Sequence, residues 1–298
     1  MNRITRKAYA KINLGLDVLK RRPDGYHEVK MIMQTINLYD ELIFEKNSSV
    51  ACPPITIICD SGAVPVGEEN IIYRAATRIY ERYRLKQAVT ITLKKVIPVA
   101  AGMAGGSADA AAVFHGLNDL FDLGISIPEM CKMATEIGAD IPFCIISGTA
   151  FSEGIGEKLT PLPPAPPCGI LIAKPDIHVS TQWVYENLCV NDIARHPDID
   201  GMVTAIHKQD LTGIITRMEN VLETVTIGKY PRIDEIKVKM LSHGAESALM
   251  SGSGPTVFGI FTNEKKAQAA YHKMKEEYEA YLTSFYQPQK WLGDVNNQ

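Results

Sequence analysis

Two mixed α/β (α+β) domains are the fold class this sequence predicts, and three observations carry it. Strand-like alternation and helix-like periodicity interleave along the whole 298-residue chain. A joint, Thr160-Pro-Leu-Pro-Pro-Ala-Pro-Pro-Cys-Gly169, interrupts that pattern, and its run of prolines fits neither a helix nor a central strand. The length itself suits two domains, which the joint places at residues 1–160 and 169–290.

Residues 8–18 alternate cleanly. Ala8, Ala10, Ile12, Leu14, Leu16 and Val18 face one way, and Lys11, Asn13 and Asp17 the other. Pro23-Asp24-Gly25 signals a turn into a second strand over 26–38. Shorter strands are expected at 41–45 and 55–59. A helix over 70–84 carries Ile71, Ala75, Ile79 and Tyr83 at helical spacing. Val89, Ile91 and Leu93 alternate with polar residues up to Pro98. A helix with Ala110, Val113, Phe114, Leu117 and Phe121 on one stripe follows, then a shorter one over 128–137 that stops at Gly138. Beyond the joint the pattern gives a strand at 170–173 and helices near 181–190, 199–208, 211–225 and 232–243. A hairpin over 248–250 and 257–261 and a charged helix over 264–281 complete the reading. The tail 287–298 carries no motif and is expected to be disordered.

Between the 89–94 strand and the alanine-rich helix lies Pro98-Val99-Ala100-Ala101-Gly102-Met103-Ala104-Gly105-Gly106-Ser107-Ala108. Glycines at 102, 105 and 106 remove side chains where a backbone turns or a ligand approaches. Successive amides at a helix N-terminus attract phosphate oxygens. The stretch lacks the lysine of G-x-x-x-x-G-K-[ST], and it lacks G-x-G-x-x-G. Its composition alone serves a phosphate cradle and a close helix–sheet connection equally well.

Composition narrows the function. With 46% apolar and 22% charged residues the chain is an ordinary globular protein, and a net charge of −3 provides no basic field for nucleic acid or anionic lipid. No apolar run approaches the ~20 residues that span a bilayer, and the first residues show no secretory h-region. Cys52, Cys59, Cys131, Cys144, Cys168 and Cys189 are scattered without a C-x-x-C pair, as in a reducing compartment. These features point to a cytoplasmic enzyme or binding protein with neither nucleic acid nor membrane as partner.

Three motifs stand in order: Lys11-Ile-Asn13, the glycine stretch, and Ser251-Gly-Ser-Gly-Pro-Thr-Val-Phe258. Together they resemble the GHMP kinases, small-molecule kinases named for galactokinase, homoserine kinase, mevalonate kinase and phosphomevalonate kinase. Arg22-Pro-Asp-Gly-Tyr-His-Glu28, Gly138-Ala-Asp-Ile-Pro-Phe143 and Gly154-Ile-Gly-Glu157 resemble the branch whose acceptor is an isoprenoid precursor bearing a cytidine diphosphate group. The likeness runs over residues 5–262. It implies an N-terminal α/β domain, a ferredoxin-like C-terminal domain and an active site in the cleft between them. It also implies ATP and Mg²⁺ as cofactors, a small-molecule acceptor, and a monomer or weak homodimer.

The resemblance also assigns roles. Asp140 would accept or orient the acceptor's hydroxyl proton, and Lys11 would stabilise the attacking oxygen while keeping Asp140 ionised. A solvated strand lysine and a turn carboxylate are the plain alternatives. Tyr26 would stack on the cytosine and His27 bond its edge, with Tyr185, Thr181 and Asn13 also touching the acceptor; Tyr185 reads equally well as core. The stretch Pro98–Ala108 would hold ATP phosphates through its main chain and Ser107, with Asn70 and Lys95 near the nucleotide. Gly252, Ser253 and Gly254 would close over the site, or simply turn a hairpin. Many relatives have Ser-Ser-Asp where this chain has Ser107-Ala108-Asp109. One phosphate or magnesium contact is therefore expected to be missing, and the metal ligand stays unassigned. A homoserine- or mevalonate-type kinase offers nothing for Tyr26 and His27 to recognise. A non-catalytic sensor would need neither Lys11 nor Asp140.

Overall fold

The computed structural model describes residues 2–47, 54–60, 62 and 64–288. The sequence expectation for the tail beyond residue 288, and Cys52, lie outside them. The chain packs into two compact units that are not consecutive in sequence: residues 1–11 with 38–146, and residues 12–37 with 147–298. The proline-rich joint falls within the second unit. Two long strands supply residues to both units, β1 (Arg3–Arg21) and β2 (His27–Lys46).

In the first unit, β3 (Ile55–Cys59) runs parallel to β4 (Val89–Lys94), which pairs antiparallel with the C-terminal half of β2. A parallel pair requires a crossover, and α1 (Ile71–Tyr83) provides it, with the Asn70 side chain accepting the Ile72 amide as N-cap. Three more helices follow, α2 (Gly105–Phe121), α3 (Ile127–Thr135) and α4 (Ile141–Ile146). Phe44, Phe114 and Phe143 are fully buried. Gly116 leaves room for the Phe44 ring, which a Cβ would meet at 2.5 Å. Thus α2 packs closely because its inner face is alanine and glycine.

In the second unit the N-terminal half of β2 pairs with β5 (Thr149–Gly154), and β5 with β6 (Lys158–Leu162). Pro161 is tolerated because β6 is an edge strand. A separate antiparallel sheet is built from β7 (Gly169–Lys174), β8 (Ser247–Met250), β9 (Val257–Phe261) and β10 (Glu279–Ser284), in the order β10-β7-β9-β8. The helices α5 (Thr181–Glu186), α6 (Ile199–His207), α7 (Leu211–Ile215), α8 (Glu223–Lys229) and α9 (Arg232–Ser242) lie between β7 and β8, and α10 (Glu264–Met274) between β9 and β10. Helices α9 and α10 pack on this sheet, and every residue of β9 is buried. This order, with helices inserted after the first and third strands, is the ferredoxin-like arrangement.

Four expectations change, the first being that the helix expected near 181–190 ends at Glu186. The strands expected at 26–38 and 41–45 are one strand, β2, because buried Asp40 continues the strand where its charge reads as a break. The helix expected over 211–225 is two, α7 and α8. The helix expected over 264–281 ends at Met274, and Glu279–Ser284 pairs with β7 instead.

Candidate active site

The glycine loop, in the first unit, leaves β4 and enters α2 with three residues in the left-handed region: Ala100 (φ 52°), Gly102 (φ 72°) and Ala104 (φ 53°). Only one of them is glycine, so the two alanines hold conformations that cost roughly 1–2 kcal/mol each. Gly105 and Gly106 do not turn the chain. They are the first residues of α2, and at Gly105 a Cβ would crowd Ile97 at 3.0 Å and the Lys95 ammonium at 3.2 Å. Ala104 is the N-cap residue and offers no side-chain cap to the helix. Pro98, Ala101, Met103 and Ala108 are buried, whereas Val99, Ala100 and Gly106 are exposed. Solvent therefore reaches the loop at Val99, Ala100 and Gly106, with Ser107 half-buried as the accompanying hydroxyl.

Lys11 lies beside this loop. Its amide donates to the Met103 carbonyl at 3.1 Å, and its Nζ is 3.6 Å from Asp140 Oδ2. The lysine side chain is 6% exposed and that of Asp140 34%, so the carboxylate is the accessible member of the pair. Asp140 sits in the turn that leads into α4, where its carbonyl accepts the Cys144 amide. Burial, reinforced by the Asp140 charge, pushes the Cys144 thiol well above its usual range and keeps it protonated beside the pair.

Two of the residues expected near the nucleotide also make contacts that hold the fold. Asn70 caps α1 and donates through Nδ2 to the Pro65 carbonyl. Lys95 Nζ donates to Asp40 Oδ2 at 2.5 Å and Asp109 Oδ2 at 2.8 Å. Burial works against the Lys95 charge, yet the two carboxylates outweigh it and hold its pKa above the ordinary value.

The second unit carries the residues expected to meet the acceptor. Arg22-Pro-Asp-Gly-Tyr-His-Glu28 forms the turn joining β1 to β2, with Gly25 at φ 88° and the Arg22 amide donating to the Tyr26 carbonyl at 2.7 Å. Asp24 accepts from the Tyr26 amide and from the Arg22 guanidinium. The motif thus fixes its own backbone and displays Tyr26, which is 61% exposed. His27 is buried, and its ring lies 5.2 Å from the Tyr185 ring, tilted by 34°. Burial, and then the charge of Arg21, lower the His27 pKa below 6.5, so the ring is neutral at pH 7. Tyr185, half-buried on α5, sits one turn after Thr181, whose hydroxyl is 2.7 Å from the Ser253 hydroxyl. Asn13 is fully buried, with Nδ2 3.1 Å from Met31 Sδ.

Gly252 (φ 56°), Ser253 and Gly254 (φ 88°) form the turn between β8 and β9, closed by the Ser251 amide on the Thr256 carbonyl. Sequence reasoning missed what holds it. Asn220 donates to the Met250 and Gly252 carbonyls, Glu223 accepts the Met250 amide, and Thr226 donates to the Ser253 carbonyl. No short motif marks Asn220, because its function depends on a turn thirty residues away. The structure thus brings Lys11, Asp140 and the glycine loop together in one unit. It brings His27 to Tyr185, and Thr181 to Ser253, in the other.

An ammonium–carboxylate pair beside a glycine loop that solvent reaches, on this fold, defines an ATP-dependent small-molecule kinase. The model of the GHMP kinases N terminal domain matches residues 70–148, and that of the GHMP kinases C terminal matches residues 202–280. The 4-diphosphocytidyl-2-C-methyl-D-erythritol kinase of Lachnoclostridium phytofermentans is 52% identical over 92% of this chain and 94% of its own length. The same-named protein of Lachnospira eligens is 50% identical over 97% of this chain and 100% of its own. A crystal structure of 4-(cytidine 5'-diphospho)-2C-methyl-D-erythritol kinase superposes with a TM-score of 0.82 at 30% identity, covering 96% of this chain and 100% of that one. The chain belongs to the GHMP kinases and, within them, to the family of the 4-diphosphocytidyl-2-C-methyl-D-erythritol kinases.

Proposed function

We propose that this enzyme transfers the γ-phosphoryl group of ATP to the 2-hydroxyl of 4-diphosphocytidyl-2-C-methyl-D-erythritol, releasing ADP. The observation that carries the chemistry is the Lys11–Asp140 pair, with the Lys11 amide bonded to the glycine loop. Asp140 accepts or orients the hydroxyl proton as the oxygen attacks phosphorus in line and the bond to the ADP oxygen breaks. Lys11 shields the negative charge on the attacking oxygen. The main chain of the loop and Ser107 hold the phosphates. Tyr26 supplies a stacking face for cytosine. Neutral His27 has one donor and one acceptor nitrogen, and one of the two bonds the base edge.

Among the described residues no group of three or more metal-ligating side chains stands together. Magnesium accompanying ATP would therefore be held mainly by phosphate oxygens and water, with the Ser107 hydroxyl able to add a ligand. It would supply charge neutralisation on the transferring group. No described helix is long and apolar enough to cross a membrane, and we place the reaction in the cytoplasm, carried out by a monomer or weak homodimer.

The test is ADP release with Mg-ATP and four acceptors in turn: the cytidyl compound, mevalonate, homoserine and galactose. Turnover confined to the first is expected. Turnover with another acceptor and none with the cytidyl compound would overturn the base-recognition assignment.

A further inference from the structure

We infer that Asp40, Lys95 and Asp109 form a buried clamp that sets the glycine loop for ATP, making Lys95 a positioning residue rather than a ligand of the nucleotide. The inference rests on the proposal that this loop binds ATP. All three side chains are almost wholly removed from solvent, Lys95 at 6%, Asp40 at 0% and Asp109 at 3% exposed. An ammonium so enclosed, with two of its donors already on carboxylates, is poorly placed to meet a phosphate arriving from water.

The connections run to both ends of the loop. Asp40 Oδ1, from β2, accepts the amides of Val96 at 2.5 Å and Ile97 at 2.7 Å, which fixes the chain as it enters the loop. Asp40 Oδ2 takes the Lys95 ammonium, and the ammonium reaches across to Asp109 on the second turn of α2, where the chain leaves. One charged group therefore ties entry to exit. Gly105 is part of the device, since a side chain there would press on the ammonium. The start of α2 lacks a capping side chain, and Ala100 and Ala104 hold costly conformations. A loop under that strain keeps its shape only if something else enforces it.

Asp109 is not placed for its own comfort. Its Oδ1 is buried without a hydrogen-bond partner. Burial, with help from neighbouring Asp40, raises its pKa well above the usual range despite Lys95. Asp109 Oδ2 is the oxygen that accepts the ammonium, and asparagine retains an oxygen acceptor at that place.

The experiment compares Asp109→Ala, Asp109→Asn, Lys95→Met and the double variant Lys95→Met/Asp109→Ala. Thermal unfolding checks the fold, and KM for ATP, KM for the acceptor and hydrogen exchange over residues 98–108 report function. Asp109→Ala and Lys95→Met are each expected to raise KM for ATP on the order of tenfold, the scale of one charged hydrogen bond. Acceptor KM stays unchanged, loop exchange accelerates, Asp109→Asn restores ATP KM, and the double variant is no worse than Lys95→Met. A rise with Lys95→Met but not with Asp109→Ala would make Lys95 a direct ligand and overturn the clamp. Folded variants with unaltered ATP KM and loop exchange would overturn it too. If Lys95→Met does not fold, the Asp109 pair decides alone. An ATP analogue that fails to slow loop exchange in the unaltered protein would instead remove the nucleotide site itself, a result distinct from any variant's.

Discussion

The glycine loop before α2 and the Gly252-Ser-Gly254 turn look alike in sequence and are opposite in structure. Each bends through left-handed residues, two of them glycine in the turn and one in the loop. The loop keeps Val99, Ala100 and Gly106 exposed, whereas every residue from Ser251 to Phe261 is buried. The loop's surroundings are charged, with Lys11–Asp140 on one side and the Asp40–Lys95–Asp109 cluster beneath it. The turn is laced into its own unit by Asn220, Glu223 and Thr226. Glycine spacing announces a sharp backbone and says nothing of whether solvent reaches it, which the packing of the surrounding residues decides.

The largest effect expected lies on the loop's charged side. Lys11→Ala should lower kcat by about 10²–10⁴-fold, measured as ADP release at saturating substrates, because the developing charge loses its counterion. Next come two matched substitutions that break the comparison if it is wrong. In Gly254→Ala the new Cβ meets Met250 Sδ at 2.7 Å in a left-handed conformation. It should cost at least about 1–2 kcal/mol in thermal unfolding. Gly102→Ala, also left-handed but in the open loop, should spare more of that stability and appear instead as a higher KM for ATP. An identical split between stability and KM for both would erase the distinction.

Much of this was legible beforehand. Alternation placed β1 and β4, and helical spacing placed α1 and α2. What failed had tertiary causes. Asp40 looked like a loop residue because its partner, Lys95, is fifty-five positions away. Glu279-Ala-Tyr-Leu favours helix locally, and pairing with β7 overrides that preference. The pairing of Lys11 with Asp140 was visible only through family resemblance, since no periodicity links a strand residue to a turn far along the chain. The partners of Lys95 and Asn70, by contrast, carry no sequence signal at all.

The smallest effect concerns the second unit. His27→Ala should raise KM for the cytidyl acceptor roughly tenfold with little change in kcat. The wild-type ring titrates below 6.5, held there by burial and then Arg21. Acceptor KM is therefore expected to be flat above that value and to rise as acid protonates the ring. Stability follows the same sign: the unfolded chain takes the proton first, so stability falls as pH drops from the unfolded value through the lowered native one. His27→Gln should flatten the low-pH rise, measured as KM against pH.

The most direct test is kcat alongside ATP affinity in Asp140→Ala. ATP is expected to bind within a few-fold of wild type while turnover falls by about 10²–10⁴-fold. Near-normal turnover would remove Asp140 from the reaction. Loss of ATP binding with the fold intact would make it part of the nucleotide site instead.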